Sequence, residues 1–206
     1  MTCSECRSTF TGLDEAAASV GETRAAALDR LQPGCRCQIY SVSDLSTGIV
    51  RDDEVLVRLL VAPQHMNSRG RPKAGALTDA ERGGLSLFRD DQVADEEIRA
   101  AATGLVERAR RGQGDKANKA GVFGVLRISG REIRACRRPG EEACYCLYDT
   151  AQPDVWGHAE AFQRVARTPL EVCEDRRRIL FEALQSSFIP VGEFRNGLLL
   201  DLAPRV

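Results

Sequence analysis

The chain has 206 residues, the size of one ordinary domain with or without a small appendage, and folding at that size hides roughly 70% of the unfolded surface. A content of 43% hydrophobic and 29% charged residues excludes an intrinsically disordered chain. Lys+Arg 29 against Asp+Glu 30 leaves a net charge of −1, which excludes a global basic field gathering nucleic acid.

In chain order, Leu13 to Leu31 carries an apolar stripe at helical spacing, weakened at Gly21 and stopped by Pro33-Gly34. Ser41 to Asp53 reads as a polar linker. Glu54 to Ala62 (EVLVRLLVA) has the branched apolar character of a buried strand. Pro63 to Gly84 reads as a long exposed loop, and Leu85 to Arg89 as a short strand. Ala94 to Arg111 predicts a helix whose acidic start and basic end complement its dipole. Gly121 to Ile128 predicts a strand, and Ser129-Gly-Arg-Glu132 a capping box. A strand over 143–148, a helix over 154–167 and a longer helix from Pro169 to Phe188 complete the series. The expected class is α+β, with a small amino-terminal zinc-knuckle unit over 1–40 and a mixed-sheet domain over 54–206.

The eight cysteines divide into two sets. Cys3-x-x-Cys6 precedes the first helical stretch and Cys35-x-Cys37 follows it. Four thiolates in that pattern suit tetrahedral Zn²⁺, in a structural site with no open position for water. The competing reading makes Cys3 and Cys6 frayed terminal residues, and Cys35 and Cys37 buried hydrophobes. Cys136, Cys144, Cys146 and Cys173 lack chelating spacing and read as buried packing thiols. The polar amino terminus has no apolar signal region, and the longest apolar run is too short for a bilayer. A cytoplasmic, disulfide-free protein without membrane association is the expectation.

Candidate chemistry centres on Arg58, Ser86, Asp149 and His158. Arg58 interrupts an apolar strand and needs a partner wherever it lands; the plainer alternative is a surface-edge strand that carries it out to solvent. Asp149 is a candidate to orient His158, with Ser86 or Cys146 as nucleophile; the plain alternative has Asp149 starting a turn while His158 packs beside Trp156. His158-Ala-Glu160 matches the H-x-E of zinc deaminases, but the P-C-x-x-C that this chemistry needs is missing. An arginine and a serine on separate strands resemble the start of the R-S-E set of ADP-ribosyltransferases. That resemblance implies an arginine on a phosphate of NAD, a serine under the nicotinamide ribose and a glutamate directing attack; Glu171 is the candidate third member. The basic loop Arg69 to Lys73 is the one segment suited to nucleic-acid phosphates.

Gly84-Leu-Ser-Leu-Phe-Arg89, Val122-Phe-Gly-Val125, Cys146-Leu-Tyr-Asp-Thr-Ala151 and His158-Ala-Glu together are similar to an uncharacterised bacterial family with G-L-S, Y-D-T-A and H-A motifs. The likeness spans about 54–165 and implies no activity. The leading expectation is a module with structural zinc that binds a protein partner or small ligand. The opposing one is an enzyme using NAD or transferring an acyl group. A single pocket gathering the four candidate residues separates the two.

Overall fold

The computed structural model describes residues 4–32, 41–111, 119–165 and 168–204, without the side chains of 4–6. Six strands form one sheet in the order β4-β5-β2-β1-β3-β6. They are β1 (Val55–Ala62), β2 (Leu85–Arg89), β3 (Gly121–Ser129), β4 (Tyr145–Asp149), β5 (His158–Gln163) and β6 (Phe188–Pro190). Helices α1 (Ser4–Thr11), α2 (Leu13–Val20), α3 (Arg24–Leu31), α4 (Asp95–Arg111), α5 (Gly130–Ala135) and α6 (Leu170–Leu184) cover its faces. The class is α+β as expected, and every pairing is antiparallel where a mixed sheet was expected.

Strand alternation sorts the side chains into two layers. Leu56, Leu60, Leu85, Leu87, Leu126, Leu147 and Ala161 lie on one face, packed with Ile133 of α5, Leu180 and Leu184 of α6, and Ala76, Leu77 and Ala80 of a 3-10 segment over Ala74–Glu81. The other face is divided. Val57, Leu59, Phe88 and Val125 meet Ile98, Ala102 and Val106 of α4. Cys146, Tyr148 and Phe162 meet Leu13, Ala17, Ala25 and Leu28 of the amino-terminal helices. Between those two clusters the same face carries Ser86, His158 and Glu160.

Local signals account for several boundaries. The long helical stretch expected over 13–31 breaks into α2 and α3 because Gly21 takes a left-handed C-cap at φ 69°. Thr23 then caps α3, accepting the Ala26 N–H at 3.2 Å. The capping box forms in full, with Ser129 Oγ accepting the Glu132 N–H and Glu132 accepting the Ser129 N–H. Three expected elements change. The helix expected from Pro169 to Phe188 stops at Leu184, and Phe188 begins β6. The segment 63–84 is not simply an exposed loop, since Ala76, Leu77 and Ala80 are fully buried. Within the helix expected over 154–167, His158–Gln163 is instead β5, buried along its length between β2 and β4, and 166–167 lie outside the described residues.

One pairing is short. β1 runs beside β3 from Val55 to Ala62, but its pairing with β2 is confined to Leu56–Arg89 and Val57–Phe88. Past that point the two strands part and leave a seam across the sheet.

Candidate active site

A cleft of about 780 Å³ opens at this seam. Ser86, Phe88, His158 and Glu160 form its floor, and Ala101, Gly104 and Leu105 of α4 form one wall. Arg58, His65 and Asp79 line it as well. Arg58 starts from the opposite sheet face, so the cleft reaches into the gap between β1 and β2.

Arg58 bridges the seam. Its Nη1 donates to the Ser86 carbonyl at 3.2 Å, where a strand pair would otherwise place a ladder bond. Its Nη2 forms an ion pair with Asp79. The solvent-facing edge strand that would carry Arg58 outward is not found: β1 is an inner strand, the residue is 3% exposed, and its Nε finds no acceptor among the described residues. Burial works against the Arg58 charge and Asp79 supports it.

His158 is a buried neutral imidazole. Its Nδ1 lies 3.3 Å from the Thr150 carbonyl, which can only accept, and 2.9 Å from Thr150 Oγ1. The proton therefore sits on Nδ1, and Nε2 accepts from Ser86 Oγ at 2.7 Å. Burial pushes the pKa of His158 down to about 4. Glu160 pairs with Ser86 across β2 and β5, on the same face. Burial raises its pKa, opposed by Arg24 of α3, whose Nη1 lies 3.2 Å from Glu160 Oε1. Arg24 also donates to the Gly83 carbonyl and pairs with Asp14. Gly84 completes this corner: at φ +98°, a Cβ there would lie 2.6 Å from Phe162 and 3.1 Å from Glu160 Oε1.

His65 sits beyond the end of β1. Its Nδ1 accepts the Val61 N–H at 3.1 Å, so Nε2 carries the proton. Burial, then the Arg58 cation, lower its pKa to about 4. The basic loop folds back beside it, with Lys73 N–H on the His65 carbonyl at 3.0 Å and Asn67 Oδ1 accepting from Arg69 and Arg71.

Three of the four expected residues, Arg58, Ser86 and His158, thus share one cleft. Asp149 does not. Strand parity sends it to the opposite face, where it accepts from Ser41 Oγ at 2.7 Å and from Ser46, with Arg89 Nη1 at 3.9 Å. Thr150, not Asp149, orients His158. Glu171 is exposed on α6 and is absent from the cleft lining; Glu160 is the carboxylate beside Ser86. Cys146 packs in the amino-terminal cluster away from His158, and burial raises its pKa.

Cys136, Cys144, Cys146 and Cys173 are free and buried. Among the described residues no group of three or more His, Cys, Asp or Glu is arranged to hold a metal. Cys3, Cys35, Cys37 and the Cys6 side chain lie outside the described residues. No helix among the described residues is long and apolar enough to cross a membrane. No known family profile matches the chain. No curated protein and no solved structure matches it either.

Proposed function

We propose that the chain is an NAD-cleaving enzyme resembling the ADP-ribosyltransferases, working in a cytoplasmic setting. The observation that carries this reading is the convergence of Arg58, Ser86 and Glu160, from the neighbouring strands β1, β2 and β5, on one cleft. In this reading Arg58 holds a phosphate of NAD and Ser86 supports the nicotinamide ribose. The bond from ribose C1′ to the nicotinamide nitrogen breaks, and its electron pair leaves with neutral nicotinamide. Glu160 faces the cation developing on the ribose, a charge that a carboxylate stabilises most when water is excluded. An acceptor N–H or O–H then attacks C1′ and releases its proton.

The Ser86–His158 contact favours acyl transfer as a second reading. Two features weaken it. A histidine held near pKa 4 is a feeble base at neutral pH, and its Nδ1 faces Thr150 instead of a carboxylate. In the NAD reading the same contact fixes the Ser86 hydroxyl.

We also propose that Cys3, Cys6, Cys35 and Cys37 bind one structural Zn²⁺. Their spacing supports this, as does Gln32 Nε2 donating to Thr9 Oγ1 at 3.0 Å, which ties the end of α3 to α1. Zinc below half an equivalent in chelator-free protein overturns that assignment.

The test of the enzyme is nicotinamide release from NAD by the full chain, followed by chromatography. Glu160→Gln should lower the rate by roughly 10²–10³-fold, the usual cost of deleting one transition-state stabiliser. Undetectable release at millimolar NAD, or equal rates in the variant, refutes it. NAD binding without cleavage would instead make the chain a ligand-binding module.

A further inference from the structure

The Arg58 end of the cleft holds two cleft-lining donors on a rigid frame and one acidic side chain that is much less buried. Arg58 has 4% of its side chain exposed and its guanidinium is fixed by the Ser86 carbonyl, so it cannot swing out. His65 is equally enclosed at 4%. Its Nδ1 is committed to the Val61 N–H, and its Nε2–H finds no acceptor among the described residues. Asp79, by contrast, has 45% of its side chain exposed. It belongs to a 3-10 segment whose Ala76, Leu77 and Ala80 are fully buried, so the backbone is anchored while the Asp79 side chain reaches solvent.

We propose that Arg58 and His65 form a subsite for the diphosphate of a nucleotide, and that Asp79 fills it until the ligand arrives. The chemistry follows from the donors. A guanidinium offers a planar fork suited to phosphate oxygens, and an imidazole N–H adds a directed neutral donor. A buried guanidinium without an anion is costly, so an internal carboxylate stands in for the ligand. A diphosphate brings more negative charge and more acceptors than one carboxylate, and Asp79 has solvent to retreat into. The subsite depends on the NAD reading only for the identity of its natural ligand.

The test is calorimetric titration of the full chain with ADP and, separately, with inorganic pyrophosphate. Asp79→Asn removes the competing charge and should tighten ADP binding about tenfold; His65→Asn leaves an amide group for the Val61 N–H, removes Nε2–H, and should weaken it about tenfold. Unchanged affinity in either variant, or a shift in the reverse direction, overturns the subsite. So does adenosine binding as tightly as ADP. Competition needs no variant to fold: pyrophosphate should compete with ADP for the unaltered chain, and failure to compete overturns the subsite. Nicotinamide release by the same preparations reads the enzyme separately. The ADP pattern without cleavage leaves the subsite standing and removes the NAD enzyme; cleavage without the ADP pattern does the reverse.

Discussion

Replacing Arg89 by Met should cost the protein about 3–5 kcal/mol, the usual consequence of stranding one partner of a buried ion pair. Arg89 and Glu54 are 2% and 6% exposed. Two charge-assisted bonds join them, Nε to Oε2 at 2.6 Å and Nη2 to Oε1 at 2.7 Å. Arg89 also donates to the Gly48 and Ile49 carbonyls at 2.6 and 3.0 Å, so it pins the polar linker to the sheet. Methionine keeps most of the apolar stem and loses these four bonds and a long fifth to Thr47 Oγ1 at 3.4 Å. Glu54 then keeps the Arg51 N–H at 3.1 Å, the exposed Arg51 guanidinium at 3.8 Å and a long contact from Gln92. For a chain of this length each kcal/mol moves the melting temperature by about 2–4 °C, so scanning calorimetry at pH 7 should show a fall of roughly 6–20 °C. Adding Glu54→Gln, which removes the stranded charge, should recover at least half of that fall. A loss below about 1 kcal/mol, or a double variant no better than Arg89→Met alone, refutes the reasoning.

Gly84→Ala should destabilise the fold by roughly 1–3 kcal/mol in urea titrations, since it meets both a positive φ and the Phe162 ring; unchanged stability would show that this corner yields. His65 and His158, held near pKa 4 against 6.5 when unfolded, bind fewer protons in the native state, so stability should fall as pH drops from about 6.5 toward 4. Each withdraws up to about 3 kcal/mol, partly offset by Glu160 and Asp149, whose raised pKa values act in the opposite sense. His158→Gln should flatten that acid limb, and an identical limb would rule out His158 as a source. Burial pushes Cys136 up to about 12 and raises Cys144, Cys146 and Cys173. A thiol reagent should therefore find none of these four fast-reacting in native protein, and under the zinc proposal Cys3, Cys6, Cys35 and Cys37 should label only after chelation; fast labelling of Cys136 or Cys146 contradicts the packing.

Much of the frame was legible because its signals are local. The branched apolar run of β1, the charged ends of α4 and the Ser129–Glu132 box each act within a few residues. The site was less legible because it depends on β5. His-Ala-Glu-Ala-Phe-Gln is rich in helix formers, and pairing on both edges overrides that preference. Read as a helix, the segment hides Glu160; at strand period, His158 and Glu160 share a face. The same alternation in β4 separates Asp149 from Tyr148, a signal present in the sequence and masked by the appeal of a carboxylate near a histidine. Nothing local marks Asp79, since its role appears only when the 3-10 segment closes over Arg58. The alanine spacing within 76–80 was the available clue that this stretch is buried.

The two-pair contact between β1 and β2 makes the two faces of the sheet unequal at the cleft. On one side the strands part and Arg58 bridges them, while on the other Leu56, Leu60, Leu85, Leu87 and Leu126 form one apolar layer that runs beneath both strands. Phe88 of β2 also packs with α4, so the halves of the sheet are tied together on either side of the opening. The cleft is therefore a gap in an otherwise continuous body, and an anionic ligand entering it meets Arg58 as a cation that spans its walls.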